Sequence, residues 1–485
     1  MTRVDKLTLS MSLHSNLKVF SEQFFKGLSN LKIRKFNIGD KTKREAAIFY
    51  MDGITDTQNI QKNILAPLLK MSKMEGIESV INDHLSIIDV TVESSIDEIA
   101  NGLIKGKCLV LIDGYNQGIL ADVANWQKRS LREPDTQRTI KGSMVGFNEQ
   151  LKLNLNLLQN MIQTQKLKIE SYQIGNESKT DVAVLFIDGY VDEKVLKEVK
   201  KKINEIDVTY LLEARVIEDA LEEKKTLFPL VFTSERPDAT VSALYEGRVV
   251  IIVNGLPFVL IVPCLFIHYF QQSDEYNSKS GRFGIRIFRF FSWLIALLLP
   301  AIYIAITRFH TNWFPSPFDK KLLSDPDTVL PFLWEVLLLL FIFHSLLEAT
   351  LRIPKNTTLL VTLIGTVTIG ETAIFAKIIH PLTMIVVGIN FLTSMHIASG
   401  GLWGALVLMR LVFVFIGNFL GVSGILIGFI LLIIYMTSLK SIGVPYLSPF
   451  IPFSLREMKD VIFRGDLRRL IKSKHTYPHK EKNEK

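Results

Sequence analysis

The sequence predicts an α/β soluble N-terminal region of two tandem related subdomains, then an α-helical multi-pass transmembrane domain of about six spans. A short β-hairpin is expected at the junction between them. Three observations carry this reading. From Phe283 to Leu439, 157 residues hold only nine basic and six acidic side chains, and a hydrocarbon slab about 30 Å thick needs about 20 apolar residues per crossing helix. Residues 31–53 recur without a gap as residues 167–189. Between the halves, the apolar run Arg248–Pro263 is interrupted by Asn254-Gly255, a strong hairpin signal, with Pro257 and Pro263 arguing against a helix. The expected boundaries are 1–143 and 144–246 for the soluble subdomains and 247–282 for the junction hairpin and interfacial segment. The membrane block is 283–439, and 440–485 is a basic cytoplasmic tail.

The repeat is detailed. LKIRKFNIGDKTKREAAIFYMDG and LKIESYQIGNESKTDVAVLFIDG agree at nine of 23 positions, at an offset of 136 residues. Each has alternating apolar positions, a polar turn holding Gly39 or Gly175, and a second apolar run ending in Asp-Gly, the pattern of two strands joined by a turn. A helix-period segment follows each copy: Ile60, Ile64, Leu65 and Leu68 in the first, Val195, Leu196, Val199 and Ile203 in the second. Further apolar runs, Cys108–Gly114 and Val249–Gly255, again end in Asp-Gly or Asn-Gly. An amphipathic helix with Leu13, Leu17, Phe20, Phe24, Leu28 and Leu31 on one stripe precedes the first copy, and Leu151–Ile162 precedes the second. The Asp-Gly pairs read as turns rather than a carboxylate site, because tight turns after strands require these residue types. Thr233–Gly247 reads as a short helix opened by Pro237 and stopped by Gly247. The segment from Cys264 to Tyr276 is expected to lie amphipathically at the bilayer interface, with His268 as an interfacial polar residue.

Composition narrows the function. Cys108 and Cys264 sit in apolar strand-like runs, which argues against a disulfide framework or a zinc site. The first ten residues lack the apolar core of a secretory signal, so a cytoplasmic head is expected. The net charge is +8; residues 1–44 carry ten Lys/Arg against three acids, and residues 440–485 eleven against five. Basic segments flanking a membrane block act as positive-inside determinants and attract anionic lipid. They lack the interleaved aromatics of a nucleic-acid module, so no nucleic-acid partner is expected. None of G-x-x-x-x-G-K-[ST], G-x-S-x-G, H-E-x-x-H or C-x-x-C is present. No enzyme, catalytic residue, cofactor or metal is therefore expected.

Six spans are expected: Phe288–Thr307, Pro331–Ala349, Thr357–Ile379, Leu382–Ser399, Trp403–Leu420 and Val422–Leu439, with both termini inside. The last two are separated only by Gly421-Val422-Ser423-Gly424. In the third, Thr358, Thr362, Gly365, Thr366, Ile369, Thr372, Ala373 and Ala376 share one side at 100° per residue. Such a stripe suits close helix packing and equally the wall of a narrow aqueous pore with Ile369 as a dewetting constriction. Charged residues inside spans are costly and face protein or water. Glu335, Glu371 and Arg410 qualify, and Glu371, expected opposite the threonine stripe, has Arg410 as its candidate partner. Glu348 and Lys377 sit near span ends and are expected to snorkel.

The chain resembles the A subunit of the GerA-type spore germinant receptors. The likeness rests on Tyr50–Leu69, Trp126–Pro134, Gly146-Phe147, Ser178-Lys179-Thr180, Thr233–Asp238, Glu246-Gly247-Arg248, Gly255–Pro263, Leu297–Tyr303, Ile364–Glu371 and Gly443–Pro449. It implies a spore inner-membrane protein working with an integral-membrane B subunit that binds the germinant and a C-subunit lipoprotein. It also implies a homo-oligomeric ring, a pentamer, that releases ions, with the threonine-rich third span lining the pore. Two stretches depart from the family pattern. Ser394–Gly401 reads SMHIASGG where the family has an SFxIPSY-like stretch, and Ala349–Pro354 reads ATLRIP in place of R-E-A-G. The alternatives are the stage V AF-type paralogue, built on the same plan, and a substrate-carrying transporter, which would need inverted repeats around a midplane site.

Overall fold

The computed structural model describes residues 8–21, 30–39, 44–71, 74, 76–124, 133–134, 137, 142–271, 285–310, 313, 328–352, 370–396, 400–453 and 458. The repeat folds into two antiparallel five-stranded sheets of the same topology. The first has β1 (Leu31–Ile38), β2 (Arg44–Met51), β3 (Val90–Glu93), β4 (Lys107–Ile112) and β5 (Gly118–Asp122) in the order β1-β2-β4-β5-β3. The second has β6 (Leu167–Ile174), β7 (Thr180–Ile187), β8 (Phe232–Ser234), β9 (Val249–Val253) and β10 (Val259–Val262) in the order β6-β7-β9-β10-β8. The pairing Leu31↔Met51 through Ile38↔Arg44 reappears as Leu167↔Ile187 through Ile174↔Thr180, keeping the sequence offset pair by pair. The Asp-Gly and Asn-Gly pairs are turns, with Gly53, Gly114, Gly189 and Gly255 all at positive φ, where a side chain is disfavoured.

Helices cover both faces of each sheet. In the first, Ala46 and Ile48 point into a cluster with the helical turns at 57–70 and 77–84, while Ala47 and Phe49 point the other way onto α1 (Leu13–Val19) and α2 (Ile96–Ile104). In the second, Val182 and Val184 face α4 (Glu193–Asn204) and α5 (Arg215–Leu221). Ala183 and Leu185 face α3 (Leu151–Met161) and α6 (Pro237–Tyr245). The repeat also shares a polar device that period analysis misses. Buried Asn16 bonds both backbone groups of Ser10, and buried Asn154 does the same to Asn148. Asp113 then receives the Leu13 N–H and Asn254 the Leu151 N–H, satisfying orphan donors at two helix starts.

The structure revises the junction. The hairpin set apart at 247–282 is β9–β10, and β9 pairs with β7 in the middle of the second sheet. Cys264–Phe270 is not an interfacial surface segment. It is buried in one cluster with Trp293, Leu297, Leu402, Leu439 and Tyr446, which fuses the second subdomain to the helical bundle. His268 Nδ1 accepts from the Leu265 N–H at 3.1 Å. Burial, with Arg248 adding repulsion, holds that imidazole well below its usual range. The start of the expected tail is folded as well: β11 (Lys440–Ser441) pairs with β12 (Val444–Pro445), and Ile442 enters the second subdomain's core.

Among the described residues, three helices are long and apolar enough to cross a membrane: α7 (Ile285–Phe309), α8 (Phe332–Arg352) and α10 (Gly400–Thr437). The fourth expected span is shorter. α9 (Pro381–Ser394) has 14 residues, about 21 Å of helix against a core of about 30 Å. α10 is broken at Gly421, whose φ of 65° and ψ of −158° are not helical. There the chain turns back: Gly428 lies against Ile416 and Phe413, which a straight helix would hold about 20 Å away. Both ends of α10 therefore reach the head, Gly401 against Pro229 and Tyr435 bonded to Thr226 at 2.8 Å. The outgoing arm meets α7 backbone to backbone, because a Cβ on Gly417 would fall 2.6 Å from the Ala301 carbonyl oxygen.

Two outcomes follow. Gly417→Leu is expected to separate α7 from α10 and lower the thermal midpoint of the purified chain by several degrees, while Gly388→Leu, at an open position, leaves it nearly unchanged. His268 binds a proton less readily folded than unfolded, so its contribution is complete above about pH 6.5 and is lost as pH falls below that value. Thermal midpoints measured from pH 8 down to about pH 5 should fall in wild type and fall less in His268→Asn.

Candidate functional site

Among the described residues, two knots of polar side chains tie the helices of the bundle together, one at a proline inside a helix and one at helix starts. The first begins with Pro300 inside α7. Proline has no N–H, so the carbonyl four residues earlier loses its intrahelical partner. That carbonyl belongs to Ala296, and two other helices supply the missing donors: Asn390 Nδ2 of α9 at 2.7 Å and Arg410 Nε of α10 at 2.8 Å. Arg410 also donates to Ser394 Oγ at 2.6 Å, and that hydroxyl donates to the Asn390 carbonyl at 2.7 Å. A guanidinium nearly removed from solvent is thereby tied to α7 and α9 by neutral oxygens.

The second knot lies toward the end of the bundle away from the head. Glu335, in the first turn of α8, is fully buried. Its Oε2 accepts from the His380 N–H at 3.1 Å and from Thr383 Oγ1 at 2.6 Å, while Tyr303 of α7 bonds Thr383 at 2.9 Å. Since Thr383 spends its proton on Glu335, Tyr303 is the donor in that last bond. The chain of donors ends on a carboxylate at the N-terminus of α9, where the helix dipole also favours negative charge. His380 caps α9, its Nδ1 accepting from the Leu382 N–H at 3.2 Å. Near the same end, Arg308 donates to Asn418 Oδ1 at 2.7 Å, joining α7 to α10.

The expected site residues separate accordingly. Glu335 and Arg410 are each central to a knot. The expected partnership of Glu371 with Arg410 is not formed: Arg410 is engaged at Ala296 and Ser394, and Glu371 is exposed. Of the threonine stripe, Thr358, Thr362, Gly365, Thr366 and Ile369 lie outside the described residues. At its described end, Thr372 and Ala376 are exposed together with Glu371, whereas Ala373 packs against the cluster of Tyr303, Val336 and Val387. Glu371 thus shares the exposed side with Thr372 instead of opposing it, and Ala373 leaves the stripe. Thr383, Asn390 and Ser394 were missed by the search for charge. Their signal was present in the spacing of seven and four residues, which puts all three on one face of α9. Among the described residues, no group of three or more His, Cys, Asp or Glu is placed to hold a metal ion.

The first knot has a thermodynamic signature. Asn390→Ala is expected to cost about 1–3 kcal/mol by leaving the Ala296 carbonyl short of a donor. Pro300→Ala restores a helical N–H to that carbonyl, so the same change should cost markedly less in that background. A double-mutant cycle on thermal stability in detergent measures the coupling; additive losses would show that the carbonyl is not shared.

The chain matches the Bacillus/Clostridium GerA spore germination protein family over residues 19–476. It is 33% identical over 442 residues to spore germination protein KA of Bacillus subtilis (strain 168), covering 90% of this chain and 81% of that one. Stage V sporulation protein AF of the same organism is 28% identical over 476 residues, covering 95% and 94%. The crystal structure of the N-terminal domain of the A subunit of the Bacillus megaterium spore germinant receptor GerK3 aligns at 31% identity and a TM-score of 0.43, covering 54% of this chain and 98% of that one. The chain belongs to the GerA family of spore germination proteins.

Proposed function

We propose that this chain is the A subunit of a spore nutrient-germinant receptor and forms, with further copies of itself, a ligand-gated ion passage through the spore inner membrane. Germinant sensing lies with an integral-membrane B subunit; a C-subunit lipoprotein completes the receptor, and the head faces the spore core. A pentameric ring is the arrangement the family resemblance favours.

One observation carries this reading. At 370–376, Phe375 is 86% exposed and Glu371, Thr372 and Ala376 are exposed beside it, while Gly370 and Ala373 face the chain's own bundle. A carboxylate and a hydroxyl on the outer side of the proposed third span call for water or another protein surface, because lipid satisfies neither. The remaining stripe of Thr358, Thr362, Gly365, Thr366, Ile369, Thr372 and Ala376 is the proposed lining. The transporter reading has weaker support, since the duplication lies in the two sheets of the head. The paralogue reading is supported by the length of the match to the stage V protein.

Purified chain reconstituted in vesicles is expected to pass ions without stoichiometric uptake of a nutrient substrate. Ile369→Ala, which shortens a dewetting side chain, should raise the resting leak about tenfold, a shift of about 1.4 kcal/mol in the closed–open balance. Unchanged leak in this variant and in Thr362→Val would remove the lining assignment. Saturable substrate uptake matching the flux would replace the channel with a transporter.

A further inference from the structure

The chain leaves the membrane with no slack. Only Ser438 and Leu439 lie between Thr437, the last residue of α10, and β11. Leu439 is fully buried, and its carbonyl accepts from the Tyr446 N–H at 3.0 Å. Ser441, also buried, accepts from the Cys264 N–H at 2.8 Å and donates to the Leu230 carbonyl at 2.6 Å. The Gly443 N–H donates to the Glu223 carboxylate at 2.6 Å, and the Phe266 N–H donates to the Tyr446 carbonyl at 2.9 Å.

Ile442 is the anchor. It is buried in the apolar cluster formed by β7, β9 and β10 with α4 and α5. Its φ is +47°, a conformation that a β-branched side chain rarely adopts. Contacts on both sides therefore hold it there, since local preference would not. Among the described residues, the first subdomain meets the second through Asn156 on the Gly53 carbonyl, an exposed Lys152–Asp52 pair at 3.6 Å and the hydrogen bonds of Gln137 to Thr233, Ser234, Glu235 and Arg236.

We infer that the second subdomain and the returning arm of α10, residues 422–437, form one mechanical unit joined by the 438–447 strap. A displacement of the head is delivered to the α10 hairpin, and through Gly417 on Ala301 to α7, with no linker to absorb it. The use of this route in signalling rests on the receptor reading above. The mechanical unit itself does not, and its test uses no ion flux.

The two native thiols provide the test. Cys264 lies under the strap and Cys108 lies in the first sheet, and both are buried. Burial pushes the Cys264 thiol up to about 12, so labelling at neutral pH reports its exposure. Full-length protein in lipid nanodiscs is followed by maleimide labelling and amide hydrogen exchange, as wild type, Ser441→Ala and Ile442→Gly. Ser441→Ala removes two hydrogen bonds and keeps the anchor, so the outcome does not hinge on one variant.

Wild type should protect both thiols. In the variants, Cys264 should label at least tenfold faster with Cys108 still protected. Exchange should quicken together in β9–β10 and in the last turn of α10. Conversely, Val195→Ala, inside the second subdomain's core, should quicken exchange in that last turn. Changes confined to 440–447, changes in only one of the two elements, or equal labelling of both thiols would overturn the inference.

Discussion

The bundle is organised around one carbonyl. Pro300 deprives Ala296 of its helical donor, and an unpaired carbonyl inside a membrane domain costs several kcal/mol. Asn390 and Arg410 supply donors from two different helices, so α7, α9 and α10 meet at a point set by backbone chemistry rather than by apolar fit alone. Apolar contact in lipid has little direction, because the tails are as apolar as the side chains. A shared hydrogen-bond acceptor therefore fixes which helix faces which. The same site lets a guanidinium sit where an isolated charge would be expelled, since the Ala296 carbonyl and the Ser394 hydroxyl both accept from it.

Given that joint, the rest of the membrane half is a consequence of close approach. Ala296, Ala301 and Ala305 are all fully buried along α7, and Gly417 meets Ala301 at backbone distance. α10 reverses at Gly421, so both of its ends return to the head, where the Cys264–Phe270 segment and Tyr446 complete the cluster. Head and bundle thus share one core. Among the described residues it is the second subdomain that does this, and the chain order explains why. Both sheets have the same strand order, but the chain leaves β10 directly into the bundle, while the equivalent strand of the first sheet leads onward to the second copy.

Much of this was legible beforehand. The offset of 136 residues predicted two equal sheets, and the Asp-Gly and Asn-Gly pairs predicted their turns, because strand alternation and left-handed glycine are local properties. The apolar runs predicted a membrane half for the same reason. Less legible was where a correctly predicted element would pair. Asn254-Gly255 announced a hairpin, yet nothing local shows that β9 pairs with β7 (a contact set some 65 residues apart in the chain). The segment Cys264–Phe270 looked amphipathic at an interface, but the tertiary core covers it on every side.

The sequence by itself determined the repeated strands, their turns and the apolar character of the second half, since each depends on residue type and short-range period. Only the tertiary structure decided their partners. Arg410 looked suited to Glu371 because opposite charges attract, but a carbonyl released by Pro300 and a serine on α9 were nearer and already positioned. Glu335 likewise found the start of α9 rather than a cation. Hydrogen-bond donors in a low-dielectric interior are satisfied by whatever the fold brings within 3 Å, and that proximity is a property of the packed chain alone.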